Sequence, residues 1–150
     1  DDSIITGNVA YHPTDDRFLL FTVDIDTIPQ NTLDAVDAIV DPQRKGPATT
    51  SGLPAAAAGQ RYLFITNATG SASGNAAAWR GTDGAPLVAV ANDIVEYDGT
   101  RWNVVFDSSN QSGTQYTTNI TTGIQYRWAN NAWLKSYEGL YPEGEWSLVL

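Results

Sequence analysis

Tyr97-Asp-Gly-Thr-Arg-Trp102 and Trp128-Ala-Asn-Asn-Ala-Trp133 share one form, and Tyr141-Pro-Glu-Gly-Glu-Trp146 repeats it near the end of the chain. Each is an aromatic residue, four turn-forming residues, then a tryptophan. Asp-Gly and Asn-Asn tolerate the positive φ angles of tight hairpin turns, and Pro142 presets φ for a turn that Gly144 completes. The offset between the first two also superposes Phe106 on Tyr137. Alternation predicts Val95, Tyr97, Trp102, Val104 and Phe106 on one face of the first hairpin, with Ile94, Glu96, Arg101 and Asn103 on the other. A two-residue turn sets Glu96 opposite Arg101, whereas a four-residue loop sets Tyr97 opposite Trp102. In the second hairpin Ile124, Tyr126, Trp128, Trp133 and Tyr137 share a face, with Trp128 opposite Trp133. Cross-strand ring pairs contribute about 0.5–1 kcal/mol beyond area burial, so these hairpins predict a sheet with an aromatic interior.

Upstream, Arg17–Ile25 and Arg61–Thr66 are rich in β-branched and aromatic residues and read as strands. Leu33, Val36, Ile39 and Val40 recur at three- and four-residue spacings. Asn31 or Thr32 would cap a run that Asp41-Pro42 stops, which predicts one short helix near 31–40. Residues 42–60 form a Pro/Gly/Ala-rich connector, and the small polar run 67–78 reads as an exposed loop. The expected fold is mainly β: an antiparallel, hairpin-built sandwich or barrel-like module over 1–150. Residues 1–58 form an N-terminal arm or subdomain, or part of the same sheet, and 59–150 form the hairpin-repeat module.

Composition narrows the chemistry. The chain has 150 residues, no Cys and a single His, so thiolate catalysis and cysteine-based zinc sites are excluded. His12 lies in Tyr11-His12-Pro13 without a Gly-x-Ser-x-Gly elbow, and reads as an ordinary loop residue. No apolar run approaches membrane-spanning length, and no basic, apolar leader is present. The lack of Met, position 1 included, suggests a processed chain or an excised piece of a longer one.

Net charge is −9, and it is unevenly spread: residues 1–41 hold nine acids against Arg17 alone, while the remainder is close to neutral. Without clustered Lys and Arg there is little to neutralise phosphates, so nucleic-acid binding is not expected. The acidic third reads as a solvated face, or as a face for a basic partner or a hard cation.

The candidate contact residues are Trp79, Tyr126, Trp128, Trp133 and Trp146, which could form an aromatic platform for sugar rings or for another protein. The competing reading makes the rings the core of a sheet with no Met and few Leu. Asp15-Asp16 and Asp24-x-Asp26 fit no calcium loop. Glu138, Glu143 and Glu145 cluster near aromatics, but proximity in a turn does not set carboxylates across a cleft. The adjacent Asp98-Gly99 only half matches the sialidase Asp box. No catalytic, metal or cofactor residues are assigned.

The run Ala91-Asn-Asp-Ile-Val-Glu-Tyr-Asp-Gly-Thr-Arg-Trp-Asn-Val-Val-Phe-Asp107, followed by Gly123-Ile-Gln-Tyr-Arg-Trp128 and Glu138–Leu150, resembles β modules in virion structural proteins of tailed, T-even-type bacteriophages. Gln60–Thr66 fits the same pattern, and the resemblance covers about 59–150. It implies an assembly role in a tail, baseplate or neck. The partners would be other virion proteins in a homo-oligomer or multi-protein assembly, in a particle put together in the host cytoplasm. The expectation is therefore a non-enzymatic phage structural module. The alternative is a carbohydrate- or host-receptor-binding module using exposed Trp and Tyr.

Overall fold

Local turn chemistry sets the two central hairpins. The computed structural model describes residues 4–50, 52–71 and 73–136. In chain order its strands are β1 Gly7–Tyr11, β2 Leu19–Val23, β3 Ala38–Val40, β4 Arg61–Phe64, β5 Ala68–Thr69, β6 Val88–Ala89, β7 Ile94–Tyr97, β8 Trp102–Phe106, β9 Gln115–Asn119, β10 Ile124–Ala129 and β11 Ala132–Lys135. The third aromatic hairpin, with Tyr137, Trp146 and the Glu138–Glu145 cluster, lies outside the described residues.

Between β7 and β8 the four-residue register holds, with Tyr97 opposite Trp102 and Glu96 opposite Asn103. The Asp98 carboxylate accepts the Thr100 and Arg101 backbone N–H groups at 2.7 and 2.8 Å, and Gly99 supplies a φ of 101°. Glu96 therefore faces Arg61 on β4 rather than Arg101, which reaches Asp83 at 2.5 Å. Between β10 and β11, Trp128 stands opposite Trp133 and the turn is Asn130-Asn131, at φ 52° and 61°. Both angles are left-handed, where a Cβ meets its own carbonyl unless a short polar side chain compensates. Asn131→Ala is expected to cost about 1 kcal/mol in urea unfolding, and Asn131→Gly less.

The fold is mainly β, made of several sheets with no closed barrel among the described residues. A four-stranded sheet runs β3-β4-β7-β8, with β3 parallel to β4 and the other pairs antiparallel. A three-stranded antiparallel sheet runs β11-β10-β9, and β5 pairs with β6. The four-stranded sheet buries both faces. On one, Tyr62, Phe64, Val95, Tyr97 and Trp102 pack with Trp79, Leu87 and Ala89. On the other, Leu63, Ile94 and Phe106 pack with Val36, Trp128 and Trp133. This second cluster joins the two sheets as a sandwich.

Three sequence expectations are corrected. Phe106 does not share the Trp102 face. The register passes from Val95↔Val104 to Ile94↔Phe106, so Val105 is an extra residue in β8. That bulge shifts alternation by one and turns Phe106 toward Ile94.

The helix expected over 31–40 is not formed, and no α-helix occurs among the described residues. The segment is extended because distant backbone groups claim it. Val36 N–H donates to Thr118 at 2.9 Å, Ile120 N–H donates to Val36, and Asp37 N–H donates to the Arg61 carbonyl. Leu33, Val36 and Ile39 then enter the second cluster while Ala38 and Val40 enter the first. Three-residue spacing fits an extended ribbon that feeds two cores as well as it fits one helical face.

The stretch 67–78 is no open loop either: it contains β5 and leads into a 3-10 helix, Asn75–Trp79, that delivers Trp79 to the first cluster.

Residues 7–23 stand apart. β1 and β2 form a hairpin whose residues are exposed apart from the half-buried Val23, and neither strand contributes to either core cluster.

Candidate functional site

The rings proposed as a platform are placed by the two clusters. Trp79 is 1% exposed, and its Nε1–H donates to the carbonyls of Pro42 and Lys45 at 3.1 and 2.9 Å. Its ring meets Tyr62, Phe64 and Trp102 edge to face, the arrangement favoured by ring quadrupoles. Trp128 is 2% exposed, packs on Phe106 and Trp133, and donates to the Gln111 carbonyl. Trp133 and Tyr126 are half-buried, with Trp133 donating to the Asn92 carbonyl at 2.9 Å. Trp79 and Trp128 thus offer no flat face to a ligand, and each indole N–H fastens a loop. Trp146 is outside the described residues.

Two surface depressions border these clusters. The first, about 210 Å³, is lined by Thr32, Leu33, Asp34, Arg61, Ile94, Val105 and Phe106. Arg61 governs its charge by pairing with Glu96 at 2.5 Å and Asp34 at 2.9 Å. The second, about 470 Å³, is lined by Asn67, Asn92, Asn131, Ser108 and Ser109 around the edge of Trp128. The buried Asp93 is bonded to two of its lining residues. Its Oδ1 accepts Ser108 N–H at 2.9 Å and Ser108 Oγ–H at 2.7 Å, and its Oδ2 accepts Val90 N–H at 2.9 Å. Both oxygens are engaged, so this carboxylate fastens Val90 and Ser108, two residues that line the depression.

Asp41 also ties loops together. Thr66 Oγ–H donates to it at 2.6 Å and Gln43 N–H at 3.0 Å. The Thr66 bond, with smaller help from Gln43 and Arg44, holds its carboxyl below the ordinary value of 3.8 despite partial burial. A depressed carboxylate pKa contributes stability that is present above the unfolded value and lost as pH falls through the folded one. Thr66→Val is expected to raise the Asp41 midpoint in an NMR titration and to shrink the loss of stability seen below about pH 4.

Among the described residues no group of three or more His, Asp or Glu is placed to hold a metal ion, and no helix is long and apolar enough to cross a membrane. His12 hydrogen-bonds to Thr14 within its own loop.

Sequence reasoning missed the most unusual surface. In β1 and β2, Val9 pairs with Phe21 and Tyr11 with Leu19. These side chains share one face, on which Tyr11 is 81% and Phe21 55% exposed. Alternation through Leu19, Phe21 and Val23 carried the signal, but Gly7–Tyr11 lacks the density of apolar residues that marks a strand. Comparison with protein-family models, curated proteins and solved structures finds no match.

Proposed function

We propose that this chain is a non-enzymatic structural module of a tailed-phage particle, in its tail, baseplate or neck, acting through contacts with other virion proteins. The observation that carries this reading is the division of apolar surface. Trp102 and Trp128 of the two described hairpins are buried and Trp133 is half-buried against the second cluster, while an apolar hairpin outside both described clusters is presented to solvent. Large exposed apolar patches mark interaction surfaces. The run 91–107, part of the stretch that resembles virion modules, forms the β7–β8 hairpin and its flanks. Antibodies against the purified chain should label, at a fixed position, virions whose genome encodes it, and a glycan array should show no hit. Absence of the chain from those virions overturns the reading.

A second reading, a carbohydrate- or receptor-binding module, draws on the amide- and hydroxyl-lined depression beside Trp128. Amide donors and acceptors at an indole edge suit sugar hydroxyls. A glycan hit abolished by Asn131→Ala and Asn67→Ala would favour it.

A further inference from the structure

We infer that the edge of β1 that no described strand pairs joins the same edge of a second copy across a two-fold axis at Val9. The inference rests on the assembly reading and names one of its contacts.

Backbone geometry defines what that edge offers. Asp24 N–H donates to the Thr6 carbonyl and His12 N–H to the Phe18 carbonyl, both in the β1–β2 register. Hydrogen-bonded pairs alternate along an antiparallel ladder, so Asn8 and Ala10 direct their backbone groups at β2. Gly7, Val9 and Tyr11 direct theirs outward, and Val9 and Tyr11 carry their side chains on the apolar face. A two-fold at Val9 sets Val9 against its counterpart and Gly7 against Tyr11 of the second copy. All three positions then sit at hydrogen-bonding sites of the new ladder. The two apolar faces become one, with each Tyr11 ring brought against the Phe21 ring of the other copy. The Phe21 ring already covers Gly7: a Cβ at that position would meet it at 2.7 Å.

Charge permits a second copy here and favours this edge over that of β2. From Ile4 to Thr14 the chain carries no acid and no Lys or Arg, so the two-fold brings no like charges together along the paired strands. β2 is bracketed instead by Asp15, Asp16 and Arg17 before it and by Asp24 and Asp26 after it, the charged flanks that protect an edge from pairing. β1 has no such protection within the strand, neither charge, proline nor bulge. An isolated two-stranded hairpin is marginal in water, whereas four strands with a continuous apolar face are not. The acidic surroundings also disfavour an anionic lipid surface as the occupant.

The test is the mass of the full chain in solution across a concentration series, by sedimentation or light scattering. The expected result is a reversible dimer. Val9→Pro removes an outward N–H without touching the β2 ladder and should return the chain to a monomer, while Phe21→Thr should weaken the dimer only partly. Every tryptophan lies outside the hairpin, so unchanged tryptophan fluorescence shows that the body remains folded. The natural chain has no Cys, which makes Val9→Cys a clean reporter. The Cα separation of about 5.5 Å at a hydrogen-bonded pair lies within the disulfide range, so oxidation should give a covalent dimer that Thr22→Cys does not. A monomer at every concentration, a dimer indifferent to Val9→Pro, or an open-ended polymer overturns the pairing. A chain that is monomeric but found in virions loses the pairing and keeps the assembly reading. A dimer missing from virions does the reverse.

Discussion

Trp79→Ala is expected to lower the unfolding free energy by about 3–5 kcal/mol, the cost of emptying a large aromatic site in a packed core. For a domain whose total stability is of the order of 5–15 kcal/mol, that is a large fraction. The indole touches Tyr62, Phe64 and Trp102, so its loss opens a cavity under three rings at once. It also releases the Pro42 and Lys45 carbonyls, which hold the connector on the sheet. Trp79→Phe keeps much of the packing but not the N–H, and should fall between wild type and Ala. Urea unfolding monitored by circular dichroism measures both. Equal stability of Trp79→Ala and wild type would mean that the connector does not depend on this anchor.

Asp93→Ala should have the next largest effect, about 3 kcal/mol, because it strips the acceptor from three donors. Val90 N–H, Ser108 N–H and Ser108 Oγ–H all converge on this carboxylate, which is only 3% exposed. Asp93→Asn retains one acceptor oxygen and should recover part of the loss. Amide hydrogen exchange localises the effect: protection should fall first at Val90 and Ser108, on the loops that frame the depression beside Trp128. Were Asp93 instead a reactive group, its removal would leave these amides protected.

What could be read in the sequence was what is decided locally. Asp98, Gly99, Asn130 and Asn131 settle their turns within a few residues, so the hairpins and the Trp128–Trp133 pair follow from them. What could not be read depends on distant partners. Nothing in Val104-Val105-Phe106 announces a bulge, since no Gly or Pro marks it; the bulge exists because Phe106 completes a cluster with Trp128 and Trp133. The segment 31–40 carries apolar spacing that suits a helix, and the backbone groups of Thr118, Ile120 and Arg61 hold it instead in a bent path that ends in β3. For the rings, residue type leaves open whether they are covered. That answer lies with carbonyls of a connector whose Pro, Gly and Ala content shows no periodicity.

The extended segment has a mechanical consequence. It is bonded on one flank to the end of β9 through Val36 and on the other to β4 through Ala38–Val40, running parallel to it. Tension arriving from the N-terminal side must pass along this ribbon. Strands pulled along their length slide, so their bonds share the load and fail together instead of parting one by one. The stitch that makes the two sheets one body would also make it resistant to force.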